Sequence, residues 1–177
     1  MTPIATRPER LVLDQIATPV GPLLLVTDER DVLRALAFGD FEAGMRRILR
    51  LHYGATLAPE RGNAPAPIRD ALDAYFGGDI AALDGLSWAT GGTPFQRAVW
   101  TALAEIPAGT TVSYGALAAR IGSPKAVRAV GLANGANPIA IVLPCHRVIG
   151  SNGSLIGYGG GLDRKRWLLA HEGVMLL

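Results

Sequence analysis

The chain has little of several features that define other classes of protein. It holds 1 cysteine among 177 residues, which excludes a disulfide scaffold and a four-cysteine zinc site. Charged residues make up 18% of the chain and hydrophobic residues 49%, a balance that excludes a disordered charged tail. No uninterrupted apolar run reaches membrane-spanning length, and the first fifteen residues carry charges where a signal peptide would be apolar. We therefore expect a globular, cytoplasmic protein with no membrane partner and with its one thiol, Cys145, reduced.

Acidic residues are scarce in the second half of the chain. Residues 91–177 hold 3 Asp and Glu against 8 Lys and Arg, whereas residues 1–90 hold 12 acids against 9 arginines. A basic half is typical of a domain that meets a polyanion, although a skew of this size also arises by chance in enzymes. Together with a predicted linker near residues 78–92, it predicts two domains, 1–90 and 91–177.

The first domain is predicted to be a small antiparallel sheet with helices. Alternating apolar residues between turn signals predict three strands, and helical periodicity predicts two amphipathic helices. The predicted strands are 11–17, 23–26 and 32–38, the helices are 41–53 and 68–76, and a connector rich in Pro, Gly and Ala covers 58–67.

The second domain begins with a strong helix signal. Thr93, Pro94 and Gln96 combine a capping box with proline at the first helical position, which predicts a helix that Pro107 ends. The second domain is therefore predicted to be mostly helical, which makes the whole chain an α+β protein with two domains.

Two short helical patterns follow, at 114–121 and 124–133, separated by Gly122-Ser123. This is the layout of a helix-turn-helix. The second pattern carries Lys125 and Arg128 and is otherwise rich in small residues, which fits either close approach to a ligand or tight packing inside the protein.

The last third contains an apolar run, a glycine loop and a final helix. The run at 139–143 predicts a buried strand. The three glycines at 159–161 would let a ligand lie against the backbone. Asp163 is predicted to cap a helix that stops at Gly173.

Cys145 lies among groups that can activate a thiol. His146 and the cation Arg147 follow it directly, and His171 and Glu172 close the last helix. A cysteine is nucleophilic as the thiolate, so a base or a cation must assist it at neutral pH. A relay from the thiol through water to histidine and carboxylate would meet this need.

Three other interpretations of these residues remain open. Cys145 could be a buried small hydrophobic residue. A metal site could combine it with His146, His171 and Glu172, and residues 159–161 could bind phosphate, but neither spacing matches a standard motif. The residues alone therefore indicate a thiol nucleophile in a basic domain with a helix-turn-helix.

The run from Ile141 to Val148, Ile-Val-Leu-Pro-Cys-His-Arg-Val, resembles the O6-alkylguanine-DNA alkyltransferase family. Asn137-Pro138 before it, and Gly160-Gly161 and the stretch from Trp167 to Glu172 after it, extend the resemblance over residues 93–173. The first ninety residues resemble the family's variable N-terminal domain, with its ribonuclease H-like layout, in layout only.

The resemblance implies a role for each candidate catalytic residue. Cys145 is the acceptor thiolate, His146 the base that deprotonates it through a water, and Glu172 the carboxylate that orients His146. Asn137 braces the active-site turn. Tyr114 helps to rotate the nucleotide and donates a hydrogen bond to N3 of the extruded guanine.

The resemblance also implies how the base is held. Arg128 fills the place of the flipped base, Tyr158 lines the pocket, and the carbonyls of Cys145 and Val148 accept from the guanine amine. The backbone N–H of Gly159 contacts the guanine O6. Further DNA contacts are expected from Lys125, Ala129 and Gly131, while Ala140 replaces a proline of some members.

The implied partner is duplex DNA that contains O6-alkylguanine, bound through its minor groove by a monomer. No cofactor and no metal are implied. The alkyl group passes once and irreversibly to Cys145; activity on O4-alkylthymine and cooperativity on DNA stay open. The competing hypotheses are a non-catalytic protein that senses alkyl lesions, whose known examples carry tryptophan at the position of Cys145, and a cysteine hydrolase.

Overall fold

The structure, a computed structural model, describes residues 6–175 and divides into two units with their boundary between Gly92 and Thr93. The α+β fold predicted from the sequence is confirmed: a sheet with helices comes first and a mostly helical unit follows. No helix in the described part of the chain is both long and apolar enough to cross a membrane.

The first unit is built on a four-stranded sheet with the strand order β3-β2-β1-β4. The first three strands are antiparallel neighbours, and β2 is buried along its whole length because strands flank it on both sides. The strands are β1 (Leu11–Ile16), β2 (Leu23–Asp28), β3 (Leu33–Phe38) and β4 (Glu60–Arg61).

Two helices complete this unit, α1 (Glu42–Tyr53) and α2 (Ala66–Phe76). In α1 the side chains of Met45, Leu49 and Tyr53, spaced at one-turn intervals, are buried and join the apolar side chains of the sheet in one core cluster. The three predicted strands and both predicted helices are therefore present.

Two segments of this unit differ from expectation. The predicted connector at 58–67 contains β4, a two-residue strand that pairs in parallel with β1. The predicted linker at 78–92 is held at the other edge of the sheet, where Leu33 donates to Ser87 O at 3.0 Å and accepts from Ala89 N at 3.1 Å. Both segments lack a regular apolar pattern in the sequence. Their order comes from backbone hydrogen bonds to strands far away in the chain, which a local pattern cannot predict.

Over residues 93–175, the second unit contains four α-helices and one small parallel sheet. The predicted capping box is formed: Gln96 N donates to the Thr93 hydroxyl at 3.2 Å, and Thr93 N donates to Gln96 Oε1 at 3.0 Å. The helices are α3 (Pro94–Ala104), α4 (Tyr114–Arg120), α5 (Val127–Gly135) and α6 (Leu162–His171), and the strands are β5 (Val112–Ser113) and β6 (Val148–Ile149).

The helix-turn-helix is present as α4 and α5, with one shift at its turn. Ala126 N donates to Ser123 O, so residues 123–126 form a turn and α5 begins at Val127. Lys125 therefore lies in the turn before the helix. A second local prediction is wrong: Asp163 is inside α6 and binds Arg166, and the helix starts after Gly161.

Candidate active site

The Cys145 thiol lies on a 3-10 turn, Cys145–Arg147, and is 6% exposed. The strand predicted at 139–143 is absent. That segment is a turn in which Leu143 N donates to Ile139 O at 3.0 Å, and Ile141 takes a positive φ of 71°. Ile139, Ile141 and Leu143 are buried, and a turn inside the core needs apolar residues as much as a strand does.

Asn137 holds this turn together. Its side-chain oxygen accepts from Ile139 N at 3.0 Å, while its Nδ2 donates to Leu143 O at 2.7 Å and to the Cys145 sulfur at 3.1 Å. One carboxamide therefore fixes the backbone on the way to Cys145 and places a donor on its sulfur. A donor in this position favours the thiolate over the thiol.

His146 is bound to Glu172 inside the unit. The two side chains are wholly buried, and His146 Nε2 lies 2.8 Å from Glu172 Oε1. Since the carboxylate only accepts, it selects the tautomer with the proton on Nε2 and leaves the lone pair on Nδ1. Nδ1 has no hydrogen-bond partner among the described residues, so it is the ring atom that can take up a proton.

Arg147 completes the environment of Glu172. Its Nε donates to Oε2 at 2.8 Å and its Nη2 to Oε1 at 2.9 Å, and its Nη1 donates to Ile106 O. These hydrogen bonds, together with the one from His146, outweigh the desolvation of the carboxyl and lower the pKa of Glu172 to about 2. Burial lowers the pKa of His146, against the pull of Glu172, so the imidazole is neutral at the start of a reaction and its Nδ1 can accept a proton.

Lys165, on α6, is the second cation of the site. Its ammonium is buried and donates to Val148 O at 2.6 Å and to Ile156 O at 2.8 Å. Burial lowers the pKa of Lys165 to about 8. Burial also raises the pKa of the Cys145 thiol, while the Asn137 donor and the charge of Lys165 act in the opposite direction.

Tyr114 lies at the start of α4, with its hydroxyl 3.3 Å from Ile156 O and 3.2 Å from Gly157 O. Burial raises the pKa of Tyr114, a Cys145 thiolate would raise it further, and a hydrogen bond from Asn134 lowers it. Tyr114 and Lys165 thus bind the carbonyl of Ile156 from two different helices.

The remaining pocket candidates lie on and around the same loop. Tyr158 is half-buried, with Lys165 Nζ 6.0 Å from the centre of its ring. Gly159 is exposed, and a Cβ there would meet nothing within 4 Å. Val148 is buried, and its carbonyl accepts from Lys165.

The candidates for DNA contact lie on the helix-turn-helix. Lys125 in the turn and Arg128 and Ala129 on α5 are exposed. Gly131 is half-buried beside Tyr114, whose ring a Cβ at that position would meet at 3.9 Å. These residues form a surface separate from the buried Cys145, His146, Glu172 and Asn137.

Sequence reasoning missed three contributors. Lys165 and Asn134 had no role, and Arg147 was considered only as a cation next to the thiol. Each lies at an ordinary helix or turn position, and no sequence signal points its side chain into the site.

His171, considered as a metal ligand, stacks on Trp167 with 4.7 Å between ring centroids. Among residues 6–175, no group of three or more His, Cys, Asp and Glu could hold a metal ion.

Comparisons with known proteins agree on one family. Residues 94–174 match the family model of the 6-O-methylguanine DNA methyltransferase DNA-binding domain. The methylated-DNA–protein-cysteine methyltransferase of Salmonella typhimurium is 54% identical over 170 residues, which cover 95% of this chain and 99% of that protein.

Solved structures give the same result. The O6-methylguanine methyltransferase of Mycobacterium tuberculosis is 43% identical, with a TM-score of 0.73 and 92% of each chain covered. A structure of the same organism's OGT in complex with DNA is 44% identical, with a TM-score of 0.73 over 89% of this chain and 90% of that one. The chain described here belongs to the methylated-DNA–protein-cysteine methyltransferase family.

Proposed function

We propose that this chain repairs O6-alkylguanine in duplex DNA by moving the alkyl group onto Cys145. The observation that carries the proposal is the buried thiol bound by Asn137, next to His146 and its partner Glu172, in a unit that matches the family's DNA-binding domain. High identity to a methylated-DNA–protein-cysteine methyltransferase over nearly the whole chain supports it.

The chemistry is a single displacement at carbon. The thiol proton passes to Nδ1 of His146, through a water, and Glu172 stabilises the imidazolium that forms. The sulfur then attacks the alkyl carbon; the S–C bond forms, the C–O6 bond breaks, and its electron pair leaves with the guanine. A hydrogen bond from Tyr114 to N3 offsets that charge. The proton that left the thiol returns from the imidazolium of His146 through water to the guanine, which leaves as the neutral base.

The product explains why each molecule acts once. A thioether has no easily ionised leaving group, and no residue of the proposed mechanism can hydrolyse it. The enzyme is therefore a single-turnover methyltransferase whose acceptor is its own side chain, and it needs no cofactor and no metal for this step.

DNA must present the lesion outside the duplex. Extrusion of a nucleotide costs roughly a few kcal/mol of stacking and pairing, and insertion of a side chain into the vacated space returns part of it. Arg128, exposed on α5, would take that space while the helix lies in the minor groove. Tyr158, Gly159 and Val148 would hold the flipped base.

The assignment of the two parts of the chain follows from the same proposal. Residues 91–177 would be the catalytic, DNA-binding domain and residues 1–90 its α/β companion. The protein would act as a monomer in the cytoplasm.

Intact-mass spectrometry tests the proposal directly. The protein is mixed with a duplex that carries one O6-methylguanine, and we expect a gain of one methyl group per molecule, located on Cys145. The Cys145→Ala variant and a duplex with unmodified guanine should give none. Binding of the damaged duplex without a mass change would identify a lesion sensor, and turnover beyond one equivalent would identify a different reaction.

A further inference from the structure

Leu132 is a large apolar side chain that the protein leaves in solvent. It lies in the middle of α5 and is 73% exposed, whereas the opposite face of the helix buries Val130, Ala133 and Asn134. Single exposed leucines are common on protein surfaces, so a functional role for Leu132 must be argued from the residues around it. Leu132 lies four residues after Arg128, which places the two side chains on the same face, one turn apart.

The segment that carries this face has exposed charges of one sign. Residues 106–162 contain no Asp and no Glu. Arg120, Lys125 and Arg128 are exposed within that stretch, while its fourth cation, Arg147, is buried against Glu172. A surface of this kind is complementary to a polyanion and unfavourable for a basic protein partner.

We propose that Leu132 makes an apolar contact with the deoxyribose edges of the groove, next to the nucleotide that Arg128 displaces. This inference rests on the proposed function, because that function places α5 on DNA. The contact is independent of base sequence, since every nucleotide presents the same sugar edge, and so it suits a protein that must inspect any sequence. It adds affinity without adding an ionic contact.

The mechanism predicts a signature in salt. A lysine that neutralises a phosphate changes the slope of log K against log salt by about 0.9. An apolar contact releases no counterions. Its removal therefore lowers log K by the same amount at every salt concentration and leaves the slope unchanged. The two kinds of contact on this helix-turn-helix are therefore separable by experiment.

The test is duplex binding by Leu132→Ala, measured by fluorescence anisotropy with an undamaged duplex at several salt concentrations. We expect Kd to rise about fivefold, as for loss of a partly buried aliphatic contact, with the slope unchanged. Leu51→Ala is the matched control, because Leu51 is a leucine of similar exposure, 70%, on α1. It should bind as the wild type does, and Lys125→Ala should reduce the slope by about 0.9.

Further measurements separate the failures. Leu132→Met should retain most of the affinity, and benzyl transfer from free O6-benzylguanine to Cys145 should be unchanged in both Leu132 variants. An unchanged or lower Kd for Leu132→Ala, or an equal loss with the free base, would overturn the inference. If the wild type transfers no methyl group, the proposed function fails, while the binding data still decide whether Leu132 contacts DNA.

Discussion

Each of the two units buries an arginine against a carboxylate, and the two pairs have different surroundings. In the first unit Arg34 Nη2 lies 2.7 Å from Asp28 Oδ2. In the second, Arg147 Nε lies 2.8 Å from Glu172 Oε2. Both carboxylates are wholly shielded from solvent, so the ion pairs are alike in chemistry and depth.

The remaining partners of the two carboxylates separate the pairs. Asp28 Oδ1 accepts from Arg30 N and Val32 N at 2.9 and 3.0 Å, which closes the turn between β2 and β3. Glu172 Oε1 binds the imidazole of His146 instead. A buried ion pair whose other contacts are backbone amides shapes the chain, whereas one that holds a titratable ring next to a thiol controls a proton.

The largest expected effect comes from neutralising each carboxylate in turn. Glu172→Gln and Asp28→Asn should each lower the free energy of unfolding by about 3–5 kcal/mol, because an arginine loses its buried counter-charge. Only Glu172→Gln should slow methyl transfer by the folded protein, by about 100-fold. Urea unfolding and single-turnover rates measure the two quantities, and an equal loss of rate in Asp28→Asn would remove the distinction.

The next largest effect is expected at low pH, where protonation of Glu172 weakens its ion pair with Arg147. The pKa of Glu172 is lowered to about 2 from its usual 4.5, so the unfolded chain binds the proton more readily. The stability from this group is complete above pH 4.5 and is lost as the pH falls toward 2, an effect on the order of 3 kcal/mol. The pKa of His146 is also lowered, so protonation of the unfolded chain begins to reduce stability below pH 6.5.

Urea unfolding between pH 7 and 3 measures this loss. Glu172→Gln should lack the portion that belongs to the carboxyl. If the wild type and this variant lose stability in parallel below pH 4.5, then Glu172 does not depend on its partners as the geometry indicates.

Exposed arginines give a smaller contrast between the units. Arg128→Ala should lower the transfer rate from duplex DNA about 20-fold, because no side chain then fills the vacated stack. Transfer from free O6-benzylguanine should stay within about twofold, since the free base needs no extrusion. Arg50→Ala, at an exposed position of α1, is the control, and loss on both substrates would make Arg128 a structural residue.

The smallest effect concerns backbone strain, which each unit carries at one non-glycine residue within residues 6–175. Asp31, with φ 62°, is exposed in the turn after β2, whereas Ile141 is buried in the turn before Cys145. Asp31→Gly should raise the free energy of unfolding by about 0.5–1 kcal/mol, because glycine adopts positive φ readily. Thermal unfolding with Asp31→Ala as the control checks it, and the transfer rate should not change.

The local pattern of apolar and polar residues predicted the regular helices and strands well, because the spacing of apolar residues reflects which side chains face the core. The capping residues of α3 and the alternation in β1 are examples. It could not identify β4, whose residues Glu60 and Arg61 are exposed and whose order comes only from pairing with a distant strand. It also misread 139–143, since burial makes a turn as apolar as a strand.

The residues of the site also fall into those that the sequence indicates and those that it does not. Cys145 and His146 stand out because a lone thiol next to an imidazole is a chemical signal in the sequence. The role of Glu172 came from family resemblance, and Lys165 had no signal at all, since a lysine in a helix is normally solvated. Its ammonium becomes part of the site only through two carbonyls, Val148 O and Ile156 O, that the fold brings to it.

The presence of one cysteine in the whole chain has a practical consequence. Any thiol-specific reagent reports on Cys145 alone, without background from other positions and without engineering. Since Cys145 is only 6% exposed, the reaction rates of a series of reagents of increasing size would measure how wide the pocket opens and how often. The rate of thiol modification at Cys145 therefore reports access to the active site, and it can be measured before and after DNA is added.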